Sequence, residues 1–151
     1  MSERKKTTRI MFVCTGNTCR SPMAEYILKR KLKEAGRTDV KVSSAGISAD
    51  ESSAINPKSV CALKTLGIKA GKFKPKKVTS ELAGKQNAII CMTEDQKNAF
   101  VGFNNVYSLD ELCDCGDVYD PYGKDQQAYD EAAKQIELAC EKLVELLQTS
   151  D

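Results

Sequence analysis

The chain of 151 residues contains no histidine. Without an imidazole it has neither the base of a Ser-His-Asp triad nor that of a Cys-His pair, and it cannot form a zinc site that uses histidine. A nucleophilic side chain in this protein must therefore be activated by hydrogen-bond donors or by positive charge.

Long apolar segments are absent as well. Ile10–Val13, which follows the basic residues near the start, is far too short for a signal sequence or a membrane span. Lys and Arg number 23 and Asp and Glu number 21, so the net charge of +2 argues against a dedicated nucleic-acid-binding protein. We expect a cytoplasmic protein with no nucleic-acid or membrane partner.

The length and the even composition predict a single domain. A chain of this size can bury about 68–70% of the surface that it exposes when unfolded, so its core needs neither disulfides nor a metal. We expect a flexible basic tail at residues 1–8 and one domain at residues 9–151. The seven cysteines, in a chain without a secretory signal, are expected to be reduced thiols.

Strand-like and helix-like patterns alternate along the chain, which predicts an α/β fold with a small parallel sheet and helices on both faces. In such a fold the ligand site lies at the carboxyl ends of the strands. The predicted strands are Ile10–Val13, Val40–Ala45, Ala88–Met92 and Asn105–Leu109; helices are predicted to begin near Ser21, Asn56 and Glu94; and the last helix carries an apolar stripe of Tyr129, Ala132, Ala133, Ile136, Cys140, Leu143, Val144 and Leu147.

The residues between the first strand and the first helix are typical of an oxyanion-binding loop. Cys14 ends the strand, and Arg20 stands six positions later at the start of the helix. Backbone N–H groups of such a loop can point at a tetrahedral oxyanion, and the helix amino terminus adds positive potential. Gly16 and Asn17 enter left-handed backbone conformations at the least cost. The guanidinium of Arg20 can bind two phosphate oxygens at once.

Cys14 is the candidate nucleophile of this loop, whose positive potential favours the thiolate at neutral pH without a histidine base. Ser21 can donate a hydrogen bond to the sulfur. Phosphoryl transfer also needs a proton for the leaving group. Asp120, stiffened by the following Pro121, is the best distal candidate for that proton donor, although other carboxylates are plentiful.

Three segments, Val13–Glu25, Ser43–Gly46 and Asp120–Gly123, occur in the order and spacing of the low-molecular-weight protein tyrosine phosphatases, and the chain resembles this family over nearly its whole length. The resemblance implies a four-stranded parallel sheet with flavodoxin-like winding. It also implies two chemical steps: Cys14 attacks phosphorus while Asp120 protonates the leaving group, and a water assisted by Asp120 then hydrolyses the cysteinyl-phosphate.

The resemblance further implies how the phosphoryl group is held and what the reaction does not need. No metal or other cofactor is required, the substrate is a phosphorylated protein or peptide, and inorganic phosphate is a product. Asn17 is expected to be a strained residue held by side-chain bonds to Ser21 and Ser44. The phosphoryl oxygens are expected to lie against Thr15, Gly16, Asn17, Thr18, Cys19, Arg20 and Ser21.

Two features depart from the family pattern at the walls of the pocket. Phe73 takes the place of a histidine that often ties down the loop asparagine, so the loop must be supported in another way or be looser. No aromatic residue occurs between Ile47 and Asn56, which leaves Tyr122 as the evident aromatic rim.

Thr18 bears on the choice of substrate. Phosphotyrosine, the default of the family, usually goes with a branched apolar residue at this position, whereas threonine resembles the protein arginine phosphatase branch. A small hydroxyl-bearing wall suits a planar, charged guanidinium better than it suits a phenyl ring. We keep phosphotyrosine as the default substrate and phosphoarginine as the alternative.

The remaining cysteines have separate interpretations. Cys19 is close enough in sequence to Cys14 to form a disulfide under oxidants, which would protect the nucleophile reversibly. Cys113 and Cys115 do not have the spacing of a zinc site. Cys61, Cys91 and Cys140 are expected to be small core residues.

Two other functions fit the same loop. A thiol-dependent arsenate reductase would need further cysteines to relay a disulfide, and Cys91 has no partner cysteine in the twenty residues after it. A catalytically silent phosphate-binding module is disfavoured because Cys14, Arg20 and Asp120 are all present.

Overall fold

The structure is a computed structural model that describes residues 7–149. Strands and helices alternate along the chain, as the sequence predicts. The elements in order are β1 (Thr8–Cys14), α1 (Arg20–Glu34), β2 (Val40–Gly46), α2 (Pro57–Thr65), α3 (Ser80–Gly84), β3 (Ala88–Cys91), a 3₁₀ helix (Glu94–Phe100), β4 (Val106–Ser108), α4 (Leu109–Cys113) and α5 (Gln126–Thr149).

The four strands form one sheet in the order β2-β1-β3-β4, and all neighbouring pairs are parallel. This confirms the predicted four-stranded parallel sheet. After β1, the chain adds β2 on one side of it and then β3 on the other side. The direction in which strands are added therefore reverses at β1. In open α/β sheets a crevice forms at the carboxyl ends of the strands at such a switch point. Here Cys14 lies at that end of β1, in register with Gly46.

Helices cover both faces of the sheet, as predicted. Ile10 and Phe12 of β1 pack in the larger part of the core with residues of α1, α2 and α5, whereas Met11 and Val13 pack on the other face with α3 and the 3₁₀ helix. This alternation follows from the two-residue period of a strand. The predicted apolar stripe of α5 is confirmed: six of its eight members are buried, and Val144 and Leu147 are half-buried.

Several boundaries differ from those read from the sequence. The pattern placed Leu109 at the end of the fourth strand, but β4 ends at Ser108 and Leu109 begins α4. The reason is a capping box, in which Ser108 and Glu111 each accept the other's backbone N–H. The helix α3 was also missed, because five residues give too little periodicity to recognise. Of the predicted tail, residues 1–6 lie outside the described part of the chain, and Thr8 already belongs to β1.

The expectation for Cys61 was wrong, because this residue is exposed. The buried residues of α2 are Ser59, Ala62 and Leu63, and the side chain of Cys61 projects away from that face. Cys91 and Cys140 are buried as predicted, and burial raises the pKa of the Cys91 thiol to about 12.

No helix within residues 7–149 has both the length and the apolar character needed to cross a membrane. The same residues contain no group of three or more Cys, Asp or Glu side chains arranged to hold a metal ion.

Candidate active site

The loop between β1 and α1 forms one side of a pocket of about 220 Å³. The pocket brings together residues that are more than a hundred positions apart in the chain. Most of the residues predicted for the site line it, whereas Asn17, Ser21 and Ser44 are fully buried and support the loop from behind. The lining residues are Cys14, Thr15, Gly16, Thr18, Cys19, Arg20, Asp120 and Tyr122.

The sulfur of Cys14 has hydrogen-bond partners on Ser21. The Ser21 hydroxyl lies 2.9 Å from Cys14 Sγ, and the Ser21 backbone N–H donates to the same sulfur at 3.4 Å. Both groups lie in the first turn of α1, where the helix dipole is positive. Ser21 thus supplies two polar contacts to the sulfur without any imidazole.

Asn17 fixes the shape of the loop. Its φ is 56°, in the left-handed region, and its side-chain amide donates to Ser21 Oγ at 2.8 Å and to Ser44 Oγ at 3.0 Å. Its Oδ1 accepts from the backbone N–H of Lys76 at 2.9 Å. These bonds offset the cost of a left-handed conformation in a residue with a side chain. The sequence indicated a left-handed conformation for Gly16 too, but Gly16 does not have a positive φ; the single turn at Asn17 reverses the loop.

Arg20 is held by the loop that precedes Asp120. Its Nη1 donates to the carbonyl oxygen of Val118 at 2.9 Å, and Val118 is in turn tied to the end of β3 by a bond from its N–H to the carbonyl oxygen of Met92 at 2.9 Å. The Nη2 of Arg20 lies 3.7 Å from Asp120 Oδ2. The Nε is buried and, within residues 7–149, has no hydrogen-bond partner. The Nε–Nη2 edge of the guanidinium thus remains available for an anion that enters the pocket.

Backbone donors add to this unsatisfied edge. The N–H groups of residues 16–20 donate no hydrogen bond to any other residue between 7 and 149. Buried donors without partners are costly, and they are found where a ligand or an ion satisfies them. A turn of N–H groups at a helix amino terminus, with a guanidinium beside it, is suited to a tetrahedral oxyanion.

Asp120 and Tyr122 lie at the mouth of the pocket. The side chain of Asp120 is 51% exposed, and its Oδ1 accepts from the backbone N–H of Tyr122 at 3.0 Å. Tyr122 is 72% exposed, so its ring is a rim rather than a closed wall. A carboxyl group here, between the Arg20 guanidinium and the solvent, can exchange a proton with a leaving group or with water.

The close packing of the loop on β2 depends on Gly46. A Cβ atom at this position would lie 2.7 Å from the carbonyl oxygen of Thr15 and 2.9 Å from the backbone nitrogen of Asn17. The segment after Gly46 also binds the loop, because the N–H of Ile47 donates to the carbonyl oxygen of Cys14 and that of Ser48 donates to the carbonyl oxygen of Thr15. Gly46 stood in the sequence motif, but its contact with the loop could not be read from it.

Sequence reasoning missed several groups that support the site. The Tyr129 hydroxyl lies 3.4 Å from Cys19 Sγ, and the Gln96 side chain donates to Thr15 Oγ1 at 3.4 Å. Tyr129 was expected only as a core residue of α5. Burial raises the pKa of the Cys19 thiol, so this second sulfur of the pocket stays protonated at neutral pH.

The place of Phe73 agrees with the departure seen in the sequence. Its ring packs against Tyr26 with the ring centroids 6.2 Å apart. The oxygen of the Asn17 amide instead receives the N–H of Lys76. A backbone group from the same segment thus supports the loop in place of a side chain, and no sequence pattern could have indicated it.

This parallel sheet, with a cysteine and an arginine at the two ends of an oxyanion loop, is the arrangement expected of a cysteine-dependent phosphatase. The chain matches the family "Low molecular weight phosphotyrosine protein phosphatase" over residues 9–151. It therefore belongs to that family of phosphatases and is a hydrolase.

Relatives with different substrates in their names match the chain almost equally well. A protein-arginine-phosphatase of Geobacillus stearothermophilus is 33% identical over 93% of this chain and 97% of its own length. The low molecular weight protein-tyrosine-phosphatase PtpB of Staphylococcus haemolyticus is 32% identical over 85% of this chain and 91% of its own length. The solved structure of the YwlE arginine phosphatase from Geobacillus stearothermophilus superposes with a TM-score of 0.86, at 33% identity, and covers 95% of this chain and 94% of that one.

Proposed function

We propose that this phosphatase removes the phosphoryl group from phosphoarginine in proteins or peptides, with Cys14, Arg20 and Asp120 as its catalytic residues. The observation that carries the chemistry is the set of unsatisfied donors around Cys14: the Nε of Arg20 and the N–H groups of residues 16–20. These donors match the three equatorial oxygens of a phosphoryl group, on which charge is spread in the transition state.

In the first step Cys14 Sγ attacks phosphorus and the bond from phosphorus to the leaving nitrogen breaks. Asp120, in its protonated form, gives its proton to that nitrogen, so that arginine leaves with its own guanidinium charge. The Nε–Nη2 edge of Arg20 and the loop N–H groups hold the phosphoryl oxygens. The Ser21 hydroxyl, 2.9 Å from the sulfur, stabilises the thiolate before attack and again when the sulfur leaves.

In the second step Asp120, now a carboxylate, takes a proton from a water molecule that attacks the phosphocysteine. The bond from sulfur to phosphorus breaks, inorganic phosphate forms, and Cys14 returns to the thiolate. No metal ion enters this scheme, since the charge of the transferred group is balanced by Arg20, the loop N–H groups and the amino terminus of α1.

Phosphoarginine is favoured over phosphotyrosine by the chemistry of the pocket walls. Thr18 gives the pocket a hydroxyl group where a phenyl ring would prefer apolar atoms. Asp120 becomes a carboxylate when it gives up its proton, and this negative charge then faces the departing guanidinium. Tyr122, at the rim, can stack on one face of a planar guanidinium without a second aromatic wall.

Phosphotyrosine is the second candidate because Tyr122 would also pack against a phenyl ring and because the family bears that substrate in its name. The arsenate reductase alternative lacks structural support: Cys91, its candidate relay thiol, has no exposed surface. The silent phosphate-binding alternative requires a defect in Cys14, Arg20 or Asp120, and all three line the pocket.

The test is phosphate release from matched phosphoarginine and phosphotyrosine peptides, compared as kcat/KM. Cys14→Ser is the blank, and Thr18→Val, which replaces the hydroxyl with a methyl group of similar size, is the specificity control. We expect a preference for phosphoarginine that Thr18→Val diminishes by about 1–3 kcal/mol, roughly 5- to 150-fold, the usual cost of an unmade polar contact. A wild-type preference for phosphotyrosine would refute phosphoarginine as the substrate. Release of phosphate from neither peptide would refute the proposed phosphatase activity on proteins.

A further inference from the structure

Behind the catalytic loop, a buried chain of polar groups continues past the residues that the proposed mechanism uses. Ser44 Oγ, which receives the Asn17 amide, donates to Glu25 Oε1 at 2.6 Å. The other oxygen of Glu25 accepts from Lys29 Nζ at 2.6 Å. Glu25 is only 8% exposed, whereas the side chain of Lys29 is 48% exposed in a lysine-rich groove of about 610 Å³.

The chemistry of the donors and acceptors fixes the direction of each hydrogen bond in this buried network. An ionised Glu25 can only accept, so the single hydroxyl proton of Ser44 must point to it. Ser44 Oγ then accepts from the Asn17 amide. The N–H of Lys76, which donates to Asn17 Oδ1, prevents that amide from turning over. The second proton of the amide goes to Ser21 Oγ, so the Ser21 hydroxyl proton is left to point at Cys14 Sγ.

We propose that Glu25, held by Lys29, is a positioning residue that acts through Ser44 and Asn17 to keep the Ser21 hydroxyl as a hydrogen-bond donor to the nucleophile. This role rests on the proposed function of the Cys14 site. In this chain Phe73 cannot hydrogen-bond to the loop asparagine, so the carboxylate of Glu25 and the N–H of Lys76 are the outer groups that fix the network.

The observations separate this role from simple packing. A carboxylate with 8% exposure is retained in a core only when its charge is paired, and both of its oxygens are used here. Without an acceptor at position 25, the buried hydroxyl of Ser44 must turn to find another one. Its lone pairs then move away from the Asn17 amide, and the left-handed turn at Asn17 loses one of its three side-chain bonds.

The test uses Glu25→Met, which keeps the volume and removes both acceptors, and Glu25→Gln, which keeps one acceptor oxygen. Glu34→Met makes the same change at an exposed position of α1 and is the matched control. We expect kcat for the phosphopeptide to fall roughly 10- to 100-fold in Glu25→Met, with KM changed far less, because misplacement of a reacting group acts on the transition state. Glu25→Gln should lie in between, and Glu34→Met should match the wild type.

A second readout does not depend on the substrate. The rate at which iodoacetate alkylates Cys14 at neutral pH reports how well the thiolate is stabilised, and it should fall in Glu25→Met and partly recover in Glu25→Gln. A purely structural role of Glu25 would lower the melting temperature and leave this rate unchanged. If the wild type released phosphate from neither peptide, the proposed function would fail, while the alkylation rates would still decide the role of Glu25.

A double-mutant cycle with Ser44→Ala provides the final check. If Glu25 acts through Ser44, the replacement of Glu25 has little further effect on kcat once Ser44 has been removed, because effects on one network are not additive. The proposal would be overturned if replacing Glu25 lowered kcat as much in the Ser44→Ala background as in the wild type. It would also be overturned if Glu25→Met kept the kcat and the alkylation rate of the wild type. Should Glu25→Met fail to fold, Glu25→Gln takes its place in the same cycle.

Discussion

Replacement of Gly46 by alanine tests whether catalysis depends on the close packing of the catalytic loop against β2. The added methyl carbon would lie 2.7 Å from the carbonyl oxygen of Thr15, 2.9 Å from the backbone nitrogen of Asn17 and 3.0 Å from the Ala49 side chain. Ordinary contact begins near 3.4 Å, so the loop backbone must retreat by about 0.7 Å. Backbone atoms cannot move aside as a flexible side chain can, and the shift therefore reaches the phosphate-binding N–H groups.

A displacement of this size at a reacting centre lowers kcat/KM about 10- to 100-fold. Overpacking of this kind also lowers the free energy of unfolding by about 1–3 kcal/mol, and each kcal/mol lowers the melting temperature by about 2–4 °C in a chain of this length. The assay is phosphate release from the preferred phosphopeptide, combined with a thermal melt.

Gly84→Ala is the matched control, because a Cβ at this exposed end of α3 meets no atom within 4 Å. It should keep wild-type kcat/KM and gain up to about 1 kcal/mol of stability from the higher helix propensity of alanine. Wild-type kcat/KM in Gly46→Ala would refute the reasoning, since it would show that the loop accepts the methyl group without moving the groups that bind phosphate.

Two further predictions concern the pocket itself. Arg20→Lys should lower kcat/KM about 100- to 1000-fold although the charge is kept. A lysine ammonium cannot bind the Val118 carbonyl oxygen and also offer a pair of donors like the Nε–Nη2 edge of the guanidinium. A loss of kcat/KM below tenfold in steady-state assays would contradict this explanation. Cys19→Ser should recover less activity than the wild type when dithiothreitol is added after peroxide, because Cys14 could no longer be protected as a disulfide. Equal recovery of the two proteins would eliminate Cys19 as the protecting thiol.

Local patterns in the sequence determined much of this protein. The alternation of strands and helices predicted the parallel sheet with helices on both faces, and the eight-residue stripe predicted the inward face of α5. The loop from Cys14 to Ser21 is continuous in sequence, so the proximity of its thiol, hydroxyl and guanidinium could be anticipated. Short elements such as α3 and α4 escaped because they complete too few helical turns for a periodic signal.

Tertiary structure alone decided what surrounds that loop. The contacts from Val118 to Arg20 and from Lys76 to Asn17 involve backbone groups, which are the same in every residue and leave no mark in a sequence. The exposure of Cys61 depended on which side of α2 met the core, and the need for glycine at position 46 depended on how closely β2 approaches the loop. Sequence patterns encode the chemistry of side chains and their local period, whereas distances between remote segments arise only when the chain packs.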